Sequence, residues 1–558
     1  MLYKLRSQIL ISRLQRFGNQ CLKKQYYRQQ QQISPNQTLS NVQRSFFSST
    51  IVSLADRKES TMEAQNYSFV DLLPYSSKSE VTHEFLNKIA QKASQYLEEC
   101  NNRENKVIEF TPPAELIKLV DFQINENGDS LNDILRHTDQ ILKYVVKTAH
   151  PRFFNPLWAG VDTMAVAGEW LTSATNTSMY TYEIAPVFLI MEKFIWELIN
   201  QKVGFKDGDG MFFPGGSLCN IAAINLARFK CCPNIKEDGV FGMKKLIIYT
   251  SEESHYSITK GAALCGIGTK NVVKIRTNDV TGKMIAEDLD EKIQQSIAKG
   301  EQPMMVVATA GTTVGGAYDP INQIADVTDK YNIWLHVDGA WGGPVLLSEK
   351  YKKFMDGCHR IDSLTWDPHK MMGLLQQCSF LVVKEKGLLQ QCNSANASYL
   401  FQKDKQSYDV SWDSGDKTFV CGRRNDILKL WMYFKAKGLK GVENDINKCF
   451  ENSRYLTSKI KERENFSLLR EPECTNVCFR YTPPRIARMP EGAEREKELT
   501  KVAPEIKKKM TEKGSMMVAY QPLKEHVNFF RMINSNPGQT FSDMDFILDE
   551  IERLGKDL

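Results

Sequence analysis

From about residue 150 to residue 430 the chain alternates strand-like and helix-like runs, and this alternation restricts its fold more than any other feature. The strand-like runs are Leu246–Tyr249, Val272–Ile275, Met304–Ala308, Ile333–Val337, Ser363–Trp366 and Phe380–Val383. Helix-like segments such as Leu218–Phe229 and Ile321–Lys330 separate several of them. Strands joined through helices pair in parallel, and a parallel sheet needs cover on both faces. The spacing therefore predicts an α/β domain built on a mostly parallel sheet. Ligands on such sheets gather beyond the carboxyl ends of the strands.

The flanks differ in texture. Residues 1–55 contain no Asp or Glu but carry Lys4, Arg6, Arg13, Arg16, Lys23, Lys24, Arg28 and Arg44. An acid-free, Arg- and Ser-rich start with Leu2, Leu5, Ile9 and Leu10 on one helical face reads as a mitochondrial transit peptide; the alternative is a disordered basic tail and a cytoplasmic protein. The whole chain has a net charge of +5, so without this segment the body is slightly acidic, which points away from a nucleic-acid surface. Residues 60–149 show helical periodicity at Phe85, Ile89, Ala90 and Ala93, and again at Leu131, Ile134, Ile141, Leu142 and Val145. They read as a helical arm interrupted at Thr111-Pro112-Pro113. Residues 150–430 form the large domain and 431–558 a smaller α/β domain. No apolar run reaches the ~18 residues of a membrane span, and thirteen scattered Cys show no zinc spacing.

Four motifs fall at strand ends. Pro214-Gly215-Gly216-Ser217 opens a helix, where glycines admit an anion close to backbone amides and Ser217 adds a hydroxyl. Ser254-His255-Tyr256 follows one strand, and a neutral His255 ring can lie flat on another ring. Asp338 ends Trp334–Val337, where a carboxylate can hold a pyridine nitrogen protonated. Lys370 follows Pro368-His369 after Ser363–Trp366. Each has an ordinary counterpart: a turn, a hydrogen-bonded loop histidine, a helix cap, a surface lysine. His336 beside Asp338 also keeps a metal site open. Taken in order, a phosphate cradle, an imidazole, a strand-end carboxylate and a lysine suit pyridoxal phosphate.

These residues resemble the group II pyridoxal-phosphate amino-acid decarboxylases, in the branch of glutamate and cysteine sulfinate decarboxylases. The likeness is carried by Pro214–Ser217, Ser254–Ser257, Ala310-Gly311-Thr312-Thr313, His336–Trp341, Pro368-His369-Lys370, His150–Asn155, Tyr182–Phe188 and Tyr399–Gln402. It implies an aspartate-aminotransferase-like fold and a homodimer in which the arm before 150 intertwines with its partner's. It implies Lys370 as the lysine bonded to pyridoxal 5'-phosphate, Asp338 as the pyridine partner and His255 as the stacked imidazole. Gly216, Ser217 and Ser363 would bind the phosphate, Thr309 and Ala340 would line the ring, and His369 would flank it. Arg531 would take a substrate carboxylate, and Tyr399 would return a proton to the substrate carbon.

Asp367, Pro156 and, as a minor change, Gly339 depart from the family pattern. Asp367 stands where the family has Asn, placing a carboxylate near a phosphate. Pro156 removes an amide donor from the substrate pocket. Trp158 and Ser178 match the cysteine sulfinate and aspartate enzymes rather than the glutamate enzymes, and a bulky Trp158 shortens the pocket. The expected activity is α-decarboxylation of cysteine sulfinate or aspartate. Glutamate decarboxylation, another reaction of the same fold, and a silent homodimer or binding module are the alternatives.

Overall fold

The computed structural model describes residues 66–558 except 78, 403, 405, 406 and 525. The transit-peptide reading of residues 1–55 lies outside the described residues. The described residues divide into two compact units, 66–91 with 123–138, and 92–122 with 139–558. In the first unit, Leu131 and Leu135 pack on Tyr67, Leu72, Val81, Phe85 and Ile89. Of the positions read as periodic, Phe85, Ile89 and Leu131 lie on this stripe, whereas Ile134, Ile141 and Val145 are exposed. Ser130 begins the helix Leu131–Tyr144: its Oγ accepts the Asp133 N–H at 3.2 Å and donates to the Asp133 carboxylate at 2.7 Å.

The second unit carries two sheets. In chain order the strands are β1 (Phe153–Phe154), β2 (Asp209–Phe213), β3 (Leu246–Ser251), β4 (Val272–Ile275), β5 (Gln302–Thr309), β6 (Trp334–Asp338), β7 (Ser363–Trp366), β8 (Ser379–Val383), β9 (Phe466–Leu468), β10 (Asn476–Tyr481), β11 (Met517–Leu523) and β12 (His526–Ile533). The larger sheet runs β2-β8-β7-β6-β5-β3-β4. Its centre is apolar on both faces: Val306 and Ala308 of β5 join one core cluster, Met305 and Val307 the other. Alternate residues point to opposite faces, so a strand covered on both sides reads as an unbroken apolar run.

From β7 to β4 the sheet is parallel as expected, but β8 is antiparallel to both β7 and β2. No helix lies in the Asp367–Cys378 connection, and a parallel return needs a crossover that only a longer, usually helical, link supplies. The lysine motif therefore occupies the link between β7 and β8. Strand β2 escapes the sequence reading because Asp209-Gly210 opens it without a β-branched residue. Its two reversals leave it parallel to β7, so its carboxyl end, and the glycines after it, reach the same sheet edge as Asp338.

The smaller sheet runs β1-β11-β12-β10-β9. Helices Ala493–Lys513 and Phe541–Gly555 bury Ile506, Met510, Ile547 and Ile551 against Val477, Phe479 and Phe530. Strand β1, from the span read as the large domain, pairs in parallel with β11. The segment that carries Trp158 thus starts from the smaller sheet.

Candidate active site

The carboxyl ends of β2, β3, β5, β6 and β7 bring the predicted residues to one edge. Asp338 ends β6 and is 4% exposed. Its carboxylate takes two donors, Asn220 Nδ2 at 2.9 Å and the Ala340 N–H at 3.1 Å. The same Asn220 amide donates to Ser257 Oγ at 2.9 Å, and its Oδ1 pairs with His336 Nε2 at 3.1 Å. The hydroxyl of Ser257 in turn meets His255 Nδ1 at 2.8 Å. Because Ser257 Oγ accepts from Asn220, it donates to Nδ1, which leaves the proton of a neutral His255 on Nε2. Burial, opposed in part by Asp338, pulls His255 below the usual histidine value. One buried network therefore fixes the strand-end carboxylate and the loop imidazole together.

His336 lies within this network. Its Nδ1 pairs with Ser363 Oγ at 2.8 Å, and burial pushes its pKa down to about 4. Both ring nitrogens are engaged, which removes it as a metal ligand. Among the described residues no group of three His, Cys, Asp or Glu could hold a metal ion. Ser363 is the correction to the site as read from sequence. It opens β7 rather than ending it, pairs with His336 in register, and is fully buried. Its hydroxyl accepts from Trp334 Nε1 at 3.0 Å as well as meeting His336. It supports the network from below and is not placed to hold a phosphate.

Lys370 follows three residues after Asp367, and its Nζ lies 2.9 Å from Asp367 Oδ2. Burial works to lower the amine, but the Asp367 and Asp338 carboxylates outweigh it and raise Lys370 above the ordinary lysine value. His369 is turned the other way. Its Nδ1 meets the Cys378 carbonyl at 2.7 Å, which braces the β7–β8 connection, and burial keeps the ring below the usual histidine value.

Gly215 has φ +102°, a conformation open to glycine, and leads into the helix Gly216–Cys231. A Cβ on Gly216 would lie 2.5 Å from Asp367 Oδ2, so the backbone is bare where the helix begins. Ser217 stands exposed at the same helix end. Thr309 closes β5; its N–H donates to Asp319 at 2.8 Å, while its buried Oγ1 has no partner. A bare backbone at a helix N-terminus, an unsatisfied hydroxyl, a buried carboxylate and a lysine make a donor set that fits pyridoxal phosphate. Asp367 is the one residue that runs against it.

Arg531 comes from β12 and reaches between two loops. Its Nη1 donates to the Thr313 carbonyl at 3.1 Å and its Nη2 to the Asn155 carbonyl at 3.2 Å. Its Nε is buried without a partner, and among the described residues no carboxylate pairs with it. A guanidinium held half-buried by neutral carbonyls is set for an incoming anion. Trp158 packs its ring 6.0 Å from that of Phe153, three residues from Asn155. Ser178 bridges Arg424 across an isolated β-bridge, and its buried Oγ has no partner. The buried Glu192–Arg423 pair positions this segment, since Arg423 also donates to the Met179 carbonyl at 2.8 Å.

Tyr399 stands apart from the cluster. It sits on a turn tied down by Asp416, which accepts the Ala395 and Asn396 N–H groups at 2.9 and 3.0 Å, and it is 79% exposed. Asn220 is the residue the sequence reading lacks. Its signal is present: one polar amide in the apolar run Leu218–Ile224, four residues after Gly216 and hence on the same helix face.

A family model described as the pyridoxal-dependent decarboxylase conserved domain matches residues 113–482. The structure of mouse CSAD (cysteine sulfinic acid decarboxylase) is 43% identical in sequence, covers 86% of this chain and 99% of its own, and superposes with a TM-score of 0.84. A glutamate decarboxylase domain of a diaminobutyrate-pyruvate transaminase and L-2,4-diaminobutyrate decarboxylase from Vibrio parahaemolyticus is 25% identical, covers 86% of this chain and 96% of its own, and has a TM-score of 0.71. Oryza sativa TDC with PLP and tryptamine is 22% identical, covers 87% and 99%, and has a TM-score of 0.79, a likeness of fold alone.

Proposed function

The chain belongs to the pyridoxal-dependent decarboxylase family, and from that premise we propose that it removes the α-carboxylate of a small acidic amino acid, cysteine sulfinate or aspartate in preference to glutamate. It is a carboxy-lyase of the α/β type I fold, and pyridoxal phosphate is its cofactor. The observation that carries the substrate reading is Arg531, a half-buried cation without an acidic partner among the described residues. The bulk of Trp158, three residues beyond the Asn155 carbonyl that Arg531 holds, and the likeness to mouse CSAD favour a short side chain.

When bound, the cofactor supplies an electron-accepting ring for the electrons of the breaking carbon–carbon bond. Each part of the site has a task around it. Lys370 would provide the amine that anchors the cofactor. Asp338, fixed by Asn220 and the Ala340 N–H, holds a proton at the ring nitrogen. His255, kept neutral by burial, offers an uncharged face for stacking. The first turn of Gly216–Cys231 and Ser217 receive the phosphate. Arg531 orients a substrate carboxylate, and the unpaired Ser178 hydroxyl can donate to its acidic side chain. Tyr399 delivers a proton to the substrate carbon after loss of carbon dioxide.

Its exposure supports a working form in which that turn is covered. Phe194, Val187, Trp170 and Leu171, 48–65% exposed on helices Thr163–Thr175 and Pro186–Val203, support a homodimer. The basic, acid-free first 55 residues support delivery to the mitochondrial matrix.

Arg531→Gln tests the reading. Losing a charge-assisted contact to a carboxylate costs ~1.5–3 kcal/mol, so kcat/KM for the acidic substrate falls about 10- to 100-fold while the cofactor stays bound. Unchanged kcat/KM would remove Arg531 from substrate binding.

A further inference from the structure

Asp367 is a buried carboxylate seated where the cofactor's phosphate is expected. It follows β7 directly and is 1% exposed. Oδ2 meets Lys370 Nζ at 2.9 Å and lies 3.8 Å from His369 Nε2, while Oδ1 is buried with no partner. Its two oxygens would lie 2.5 and 2.7 Å from a Cβ on Gly216, so the carboxylate rests on the first residue of the helix Gly216–Cys231. A phosphate held by that helix end comes beside an existing negative charge.

Few groups can compensate. On its own segment Asp367 faces Lys370 and His369. From Gly216–Cys231 it faces Cys219, from β6 Asp338, from the loop after β3 His255, and from the start of β8 Cys378. Burial holds both histidines towards the neutral form and pushes both thiols up, out of the anionic form. Asp338 adds a second negative charge. Lys429, on the far side of His369, is already paired with Glu169 and Asp426 at 3.0 and 2.9 Å. That leaves Lys370 as the one free cation among these groups. Its nitrogen becomes the cofactor's anchor and can no longer serve Asp367 alone. A proton is the remaining counter-charge.

We propose that Asp367 opposes the cofactor's phosphate, and that the site admits the phosphate by taking up one proton shared between the two anions. Loading of this enzyme is then linked to pH: cofactor affinity falls as the solution becomes more alkaline. The proposal rests on the reading of Gly216 and Ser217 as the phosphate cradle. The covalent step itself leaves the proton count unchanged, since an ammonium and an aldehyde yield a protonated imine and water. Proton uptake therefore belongs to the carboxylate and the phosphate together.

The test compares two probes, pyridoxal 5'-phosphate and pyridoxal, by equilibrium dialysis against the full chain from ~pH 7 to ~pH 9, above the phosphate's own second ionisation near ~6. The ratio of the two affinities cancels what the probes share, the Lys370 amine included. In the wild-type protein the ratio falls as pH rises, by up to about tenfold per pH unit for one linked proton. In Asp367→Asn the ratio is flat, and at the alkaline end the variant binds pyridoxal 5'-phosphate at least about tenfold more tightly than wild type, the loss over one pH unit. A high but flat ratio in wild type, or the same slope in Asp367→Asn, overturns the proposal alone. A ratio near one in both proteins overturns it together with the cradle reading.

Discussion

Replacing Asn220 by Leu keeps the side chain's approximate volume and removes every hydrogen bond it makes. Asp338, 4% exposed, then keeps the Ala340 N–H as its donor and loses the amide at 2.9 Å. A hydrogen bond to a charged acceptor contributes ~1.5–3 kcal/mol, and one pKa unit corresponds to ~1.4 kcal/mol. A carboxylate no longer fixed by that amide loses its place at the cofactor's ring nitrogen, and a positioning cost of that size is about 10- to 150-fold in Kd at ~1.4 kcal/mol per decade. The substitution also takes one contact from His336 Nε2, which keeps Thr365 Oγ1 at 3.3 Å, and one from Ser257 Oγ, which loosens the hydroxyl that holds His255. The assay is the cofactor's visible absorbance during dialysis, with Ser363→Ala as a control that touches His336 but not Asp338. Asn220→Leu loses cofactor in the stated range, and Ser363→Ala loses much less. Equal retention by Asn220→Leu and wild type, with the fold intact by circular dichroism, would refute the assignment of Asn220 as the residue that positions Asp338.

Tyr399→Phe removes the proposed proton donor to the substrate carbon; chromatography of products shows less amine and more oxidised carbonyl compound, and an unchanged product ratio removes Tyr399 from that role. His336 has a folded-state pKa lowered to about 4 from an ordinary 6.5. Its contribution is fully present above ~6.5 and is given back as pH falls from there towards about 4. Between ~pH 6.5 and ~pH 5 that is about 2 kcal/mol. Urea midpoints at these two pH values show the loss in wild type and a smaller one in His336→Gln; an equal loss in both means that other groups dominate acid sensitivity.

Much of the site is legible in the sequence because its residues lie at strand ends, which chain order alone locates. Asp338 and Thr309 end β6 and β5, and register pairs them directly. Lys370, His255 and Gly216 follow β7, β3 and β2 by a few residues. What the sequence conceals has physical causes. Ser363 and Asp338 both belong to strands of the right edge, but only register shows that Ser363 lies one layer below the ligand side. Asn220 works through three partners on two separate segments, and no local pattern reports such convergence. The antiparallel return of β8 depends on a link without a helix, and the joining of Phe153–Phe154 to β11 depends on a contact more than 350 residues away. Asp367 is a case of the opposite kind. The sequence marks it as out of place, and the structure gives it a partner in Lys370.

Carbon dioxide release from cysteine sulfinate, aspartate and glutamate, measured side by side as kcat/KM on the full chain with pyridoxal 5'-phosphate, tests the central claim most directly. The account predicts release from cysteine sulfinate or aspartate at about 10- to 200-fold higher kcat/KM than from glutamate, the range that one methylene can confer. Equal and negligible release from all three, or a preference for glutamate, would contradict it.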